Sequence, residues 1–402
     1  MYDIIVIGGG IVGLSSAYKI NKRFPHLKIA VLEKESEVGQ HQTGRNSGVI
    51  HSGLYYKPGS YKAKNCVTGR RELVEFAKKY KVPHEVCGKI VVATKTTEIP
   101  FLEKIFSNGI ANEVEGIEFI DSAQIKEIEP HCVGVRGIWV PCTGIISFKS
   151  VTKKLQELIQ QSFTQSEVLT GLKVKKIVKH NDYNEIITDK NSIKCKYIVN
   201  CAGLYSDKIA ELDGLKRTSR IVGFRGDYYD LTEKGKEKVK NLIYPVPNPA
   251  FPFLGVHFTR MVDGTIECGP NAVFVFKREG YGKTDFHFGE TMDALSYKGT
   301  WKLFMKHWQF GLDEYKRAFS KKMFLNRLKG LIPDLQADDI KPGRSGVRAM
   351  ALGPDGAMID DFEIRYNHNS LHVLNAPSPA ATSGLAIGEE VANLAQKKFS
   401  LV

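Results

Sequence analysis

The apolar run Tyr2-Asp3-Ile4-Ile5-Val6-Ile7 carries no period-2 alternation, which is the pattern of a strand buried on both faces. A helical pattern follows from Leu14 to Phe24, then a second short apolar run from Lys28 to Leu32. This strand, turn, helix and strand sequence returns far along the chain. Tyr197 to Gly203 reads as a strand entering a glycine turn, and Leu204 to Leu212 as its helix, with Gly171 to His180 and Glu185 to Thr188 as preceding hairpin strands. A third return places a strand at Leu371 to Leu374, a small-residue stretch to Gly384 and a helix to about Ala395. Three returns imply one large sheet assembled from distant segments. The intervening stretches, roughly 86 to 149 and 216 to 280, are rich in β-branched and aromatic residues with turn signals, as for an antiparallel sheet covering a ligand. Residues 290 to 332 read as helical.

The first turn is Gly8-Gly9-Gly10-Ile11-Val12-Gly13, and Glu33 ends the second strand. Gly8 permits the tight turn, Gly10 lets the backbone approach a pyrophosphate and Gly13 lets the helix pack on the strand. The helix N-terminus faces the phosphates, and Glu33 is placed to accept a ribose hydroxyl. With all these parts in register, a bound dinucleotide is expected. The fold class is therefore α/β: a discontinuous Rossmann-like dinucleotide domain from 1–85, 150–215 and 341–402, and an antiparallel-sheet substrate domain with a helical insertion from 86–149 and 216–340.

Two features favour FAD over a nicotinamide. A nicotinamide enzyme usually holds its motif in one compact domain and needs no glycine-rich return at the end of the chain. Here a helix N-terminus at about Ala381 offers N–H groups and positive dipole to a flavin pyrimidine ring, whose O2 becomes negative on reduction. The stretch His41 to Gly59 is also too polar for a core and too long for a simple turn, as expected of a loop wrapping a large ligand.

Composition adds limits. At 402 residues the chain suits two intertwined domains, and its net charge of +13 suits anionic substrates, an acidic membrane surface or nucleic acid, although scattered lysines on solvated helices account for most of it. No nucleic-acid motif or Arg tract accompanies the charge. The seven cysteines lack metal-ligand spacing, so reduced thiols and no metal are expected. No apolar run is long enough to span a bilayer, and the motif at residue 4 leaves no room for a leader, so a cytoplasmic chain is expected.

The stretch Gly44-Arg45-Asn46-Ser47-Gly48-Val49-Ile50-His51-Ser52-Gly53-Leu54-Tyr55-Tyr56-Lys57-Pro58 resembles the signature of the L-2-hydroxyglutarate dehydrogenase/oxidase family, within the D-amino-acid-oxidase-like flavoproteins. Further matches follow in order: Cys87-Gly88-Lys89, Cys201 to Asp207, Phe224 to Tyr228, Ile243 to Pro247, Phe253 to Phe258, Gly269 to Ala272, Lys277 to Tyr281, Gly346 to Ala349 and Asn375 to Ser383. Arg45 departs from the pattern, where a His commonly stands. The resemblance implies an FAD enzyme oxidising L-2-hydroxyglutarate to 2-oxoglutarate. It implies cofactor contacts from Thr43, Asn46, Ser47, His51, Val174, Ala202, Gly203, Arg348, Pro379, Ala380, Ala381 and Thr382, beside Gly8, Gly10, Gly13 and Glu33. His51 lies where some relatives attach FAD covalently, and a hydrogen bond to noncovalent flavin fits equally well.

Oxidising a 2-hydroxy acid needs hydride departure from Cα, a base for the hydroxyl proton and a clamp on the carboxylate. His257 is the first choice of base, on a strand expected from Phe253 to Thr259, where it shares a face with Gly255 and Thr259. Arg225 and Arg348 are the candidate carboxylate anchors, with Arg260 and Lys277 in reserve. Tyr55, Tyr56 and Tyr244 either cover the substrate or pack. The rival readings are a flavoenzyme acting on glycine, sarcosine or another amine, a noncatalytic binding protein, and an NAD-linked dehydrogenase. The electron acceptor is left open between a membrane quinone, an electron-transfer protein and oxygen. If it is a quinone, the aromatic and basic region with Trp301, Phe304, Trp308, Phe310, Lys302, Lys306, Lys316 and Arg317 is the expected docking surface, placing the chain peripherally on the inner face of a membrane.

Overall fold

The structure, a computed structural model, describes residues 1–247 and 255–402. Strand Tyr2–Ile7 lies at the centre of one sheet, pairing in parallel with Ile29–Leu32 on one side and Ser192–Asn200 on the other. Glu167–Leu169 extends the first side in parallel. Strand Ser192–Asn200 divides its free edge. Its first half pairs antiparallel with Asn184–Thr188, and its second half pairs in parallel with Ser370–Asn375. The three returns expected from the sequence thus meet in one sheet.

Helix Ile11–Arg23 covers this sheet and packs against helices Phe148–Ser162 and Gly384–Phe399. Leu14, Ala17 and Ile20 on its inner face are fully buried, and removing such side chains from water supplies about 1.5–3 kcal/mol for each large one. The approach of the first and last helices is close because Gly388 has no side chain. A Cβ there would stand 2.6 Å from the Ser15 backbone.

The second sheet is mostly antiparallel, in the order 273–274, 220–231, 266–269, 257–260, 242–245, 89–93, 136–140, 118–121. Strand Arg220–Leu231 pairs along its length with Ile340–Leu352. Residues 341–352, expected in the dinucleotide domain, therefore pair within the second sheet. Their apolar positions can pair with either sheet, and the register with Arg220–Leu231 decides. The stretch 86–149 is also less purely β than expected, since helices Ile99–Ala111 and Ser122–Ile128 interrupt it. Residues 290–332 are helical: Phe288–Leu295, Lys298–Phe319 with non-helical backbone at His307, and Lys321–Leu328. Helix Gly384–Phe399 begins three residues beyond Ala381, which sits in the preceding turn. The first helix starts at Ile11, ahead of Leu14, because Gly10 serves as its N-cap.

Candidate active site

The C-terminal ends of the first sheet's strands face a cavity of about 660 Å³, whose opposite wall comes from the second sheet. Such a volume is within the range of small-molecule and cofactor sites. At the nucleotide motif the backbone does the shaping. Gly8 has φ +116°, and a Cβ would stand 2.4 Å from the carbonyl oxygen of Cys201 on the neighbouring strand. Only glycine tolerates that conformation and contact. Gly10, Ile11 and Val12 border the cavity, so the positive end of the first helix opens onto it. Gly13 does not border it. A Cβ at Gly13 would stand 2.0 Å from the Gly8 oxygen, so its role is helix-to-turn packing.

Side chains lock this turn. The Glu33 carboxylate accepts from the Gly9 N–H at 2.8 Å and the Glu35 N–H at 2.9 Å while bordering the cavity. Thr43 Oγ1 accepts from the Ile11 N–H at 3.0 Å. Asn46 donates to the carbonyls of Gln42 (3.0 Å) and Thr43 (2.8 Å) and accepts from the Gly48 N–H. Short polar side chains that bond nearby backbone are what a non-regular loop needs to keep one shape. At the rim, Glu35, His41 and Glu279 come together, and Lys34 Nζ pairs with both carboxylates, filling the place a cation would take.

Two histidines from distant segments border the far part of the cavity. His257 is buried, and its Nδ1 lies 2.9 Å from the Gly255 carbonyl oxygen. A carbonyl only accepts, so Nδ1 carries the proton and Nε2 presents a lone pair. Burial pushes His257 down to about 4, assisted by the charges of Arg348 and Lys89 and opposed by the Gly255 carbonyl. His51 donates its backbone N–H to Thr382 Oγ1 at 3.0 Å. Burial, then Lys89 and His257, push its imidazole down to about 3. Both rings are therefore neutral at neutral pH. Tyr244 packs beside His257 with ring centres 4.1 Å apart and ring planes tilted by 33°, and Thr259 and Ser47 lie near its hydroxyl. Arg348 borders the same region, with its charge near the Tyr228 hydroxyl.

Of the residues singled out from sequence, His51, His257, Arg348, Glu33, Thr43, Asn46, Ser47, Val174, Ala202, Gly203 and Pro379, Ala380, Ala381 and Thr382 all border this cavity, with Gly8 and Gly10. Arg225 does not. Strand Arg220–Leu231 turns Gly226 and Tyr228 to the cavity, so Arg225 and Asp227 face away and pair with each other. Arg260 is engaged with Glu85 at 2.6 Å, and neither it nor Lys277 borders the cavity. The motif residues Phe253 and Leu254 lie outside the described residues, and the strand holding His257 is described from His257 to Arg260. Tyr228, in the Phe224 to Tyr228 motif, borders the cavity with Gly226 and was not among the expected site residues. Lys89, in the Cys87-Gly88-Lys89 motif, was likewise not among them.

The residues present fit an elongated dinucleotide: a glycine turn and helix N-terminus for phosphates, an acid beside them, and a pair of neutral imidazoles beyond. The comparisons agree. The family model "FAD dependent oxidoreductase" matches residues 3–394. An L-2-hydroxyglutarate dehydrogenase of Indibacter alkaliphilus is 50% identical over 399 residues, covering 99% of this chain and 100% of that protein. The mitochondrial L-2-hydroxyglutarate dehydrogenase of Homo sapiens is 43% identical, covering 100% of this chain and 90% of that protein. Among solved structures, L-α-glycerophosphate oxidase from Mycoplasma pneumoniae has a TM-score of 0.78 at 23% identity, covering 98% of this chain and 94% of that one. Glycine oxidase from Geobacillus kaustophilus has a TM-score of 0.71 at 14% identity, covering 99% and 95%, so these two speak for the fold alone. The chain belongs to the FAD-dependent oxidoreductase family and groups within it with the L-2-hydroxyglutarate dehydrogenases.

Proposed function

We propose that this chain oxidises L-2-hydroxyglutarate to 2-oxoglutarate, with His257 as the base and Arg348 as one carboxylate anchor. The observation that carries the reading is the Nδ1 contact of buried His257 with the Gly255 carbonyl, which leaves Nε2 as the acceptor of a neutral imidazole bordering a cavity that Arg348 also borders. Bound FAD supplies the hydride acceptor. His257 Nε2 takes the hydroxyl proton, and the Gly255 carbonyl holds the imidazolium that forms. Arg348 offers a planar fork to the adjacent carboxylate and so orients Cα–H. Tyr244 and Tyr228 flank these groups and limit water. In this reading the nucleotide half is built from 1–85, 150–215 and the chain beyond Leu352.

The test is anaerobic mixing of the flavin-loaded protein with L-2-hydroxyglutarate, its D enantiomer and sarcosine separately. Bleaching of the visible flavin band by the L hydroxy acid alone is expected. Bleaching by sarcosine would replace this reading with amine oxidation, which requires no hydroxyl base.

For the acceptor, we infer a quinone at a membrane surface. Among the described residues no helix is long and apolar enough to cross a membrane. On helix Lys298–Phe319, however, Trp301 and Met305 before the non-helical backbone at His307, and Trp308, Leu312 and Phe319 after it, recur at helical spacing within each half, and all are exposed. Lys298, Lys302, Lys306 and Lys316 are exposed on the same helix. Exposed apolar side chains flanked by lysines suit an anionic interface. Co-sedimentation with anionic but not zwitterionic vesicles, lost in Trp301→Ser/Trp308→Ser, is the expected result. Equal recovery in both supernatants would remove the inference.

A further inference from the structure

Lys89 opens strand Lys89–Ala93 and is almost fully buried, with 1% of its surface exposed. Its ammonium has no hydrogen-bond partner among the described residues. It lies instead against aromatic faces, 4.7 Å from the ring centre of Tyr55 and 4.8 Å from that of Tyr244. Tyr244 is the ring packed against His257, so the charge sits immediately behind the cavity wall. The titratable groups that act on it among the described residues are the thiols of Cys66 and Cys142, and it acts in turn on His51 and His257. No carboxylate is among them. A buried cation is ordinarily paired, because the desolvation cost is otherwise uncompensated. Cation–π contact with two rings offsets only part of that cost.

We propose that Lys89 is a positioning residue for an anionic ligand: its uncompensated ammonium behind Tyr244 gives the His51–His257 end of the cavity a positive potential that draws a substrate carboxylate there. The inference deepens the hydroxy-dicarboxylate reading and rests on it. The charge acts through the tyrosine wall by field, not by contact, so its range of several ångströms in a poorly screened interior is sufficient. Burial also pulls this lysine down to about 8, which makes the potential lapse on the alkaline side.

The test uses the flavin-loaded protein and glutarate, a dicarboxylate with no hydroxyl to oxidise, with binding read from perturbation of the flavin spectrum. Wild-type affinity should fall as pH rises through about 8. Lys89→Met should bind glutarate about tenfold more weakly at neutral pH and show no alkaline fall. Lys89→Arg, whose charge persists, should retain affinity through that range. The Met variant should unfold at the same or a higher urea concentration, since an unpaired buried charge has gone. A Met variant that binds glutarate as wild type does, or keeps the alkaline fall, overturns the inference. If wild type bleaches with L-2-hydroxyglutarate while the Met variant is unchanged in binding, the inference fails alone. If wild type neither bleaches nor binds glutarate, both readings fail.

Discussion

Arg225 and Asp227, two residues apart on one strand, face each other across the pleat-to-pleat repeat and pair through Nε–Oδ1 at 2.7 Å and Nη2–Oδ2 at 3.3 Å. The remaining guanidinium nitrogen donates to the Gly282 carbonyl, and Asn271 bonds the Asp227 carboxylate. Both partners are buried, so removing one strands a charge. Arg225→Ala should cost about 3 kcal/mol of stability, as breaking buried pairs does, visible as a lower urea midpoint. The surviving folded enzyme should keep its KM. A raised KM at unchanged stability would return Arg225 to the substrate.

Arg348 should behave in the opposite way. Arg348→Lys keeps the charge but loses the fork, so KM for L-2-hydroxyglutarate should rise about tenfold with little change in the unfolding midpoint. Steady-state kinetics with an artificial acceptor measure it directly.

His257→Ala should retain bound flavin, because no part of the glycine turn depends on it, yet reduce the rate of anaerobic flavin reduction by about 10²–10⁴-fold. Rapid-mixing absorbance gives that rate. Reduction at the wild-type rate would take His257 out of the chemistry.

Acid should destabilise the fold through the same residue. His257 in the folded chain is held near 4, against an ordinary value near 6.5 in the unfolded chain. As pH falls below about 6.5 the unfolded state takes up the proton first, so stability present above that pH is lost progressively down to about 4. At pH 5 the loss from this group is on the order of 1–2 kcal/mol. Urea midpoints at pH 7 and pH 5 should differ accordingly, and less so in His257→Gln.

Gly8→Ala tests the cradle. Its added Cβ meets the Cys201 carbonyl in a backbone region that disfavours side chains, so the variant should be recovered without yellow colour or insoluble. A normally coloured, stable variant would contradict the close packing described.

What was legible in the sequence was the chemistry that acts over a few residues. The glycines at 8 and 10, the acid at 33, the loop around Thr43 and Asn46 and the small residues from Pro379 to Thr382 all declare themselves locally, and each borders the cavity. Strand phase was not legible. Residues 221–227 are buried on both faces, and the polar alternation of Arg225 with Asp227 marks their own ion pair, not the parity that meets the cavity, so the anchor expected at Arg225 lies on the other side from Tyr228. Lys89 escaped for a related reason. A lysine at the start of an apolar strand reads as its solvent end, and only tertiary packing reveals that the end is enclosed. The extent of the second sheet, reaching to Leu352, likewise depended on pairing with a strand more than a hundred residues earlier.

The packing of helix Gly384–Phe399 on helix Ile11–Arg23 has a consequence for biosynthesis. The glycine turn leaves the ribosome early, but strand Ser370–Asn375 and the segment bordering the cavity at 379–382 are made almost last. Strand Tyr2–Ile7 must wait for Ser192–Asn200, and that strand for Ser370–Asn375, before its edge is covered. Cofactor capture is thereby tied to completion of the polypeptide. A ribosome stalled or a protease cutting between the glycine turn and Ser370 leaves a chain that carries the whole glycine motif without strand Ser370–Asn375 or the 379–382 segment.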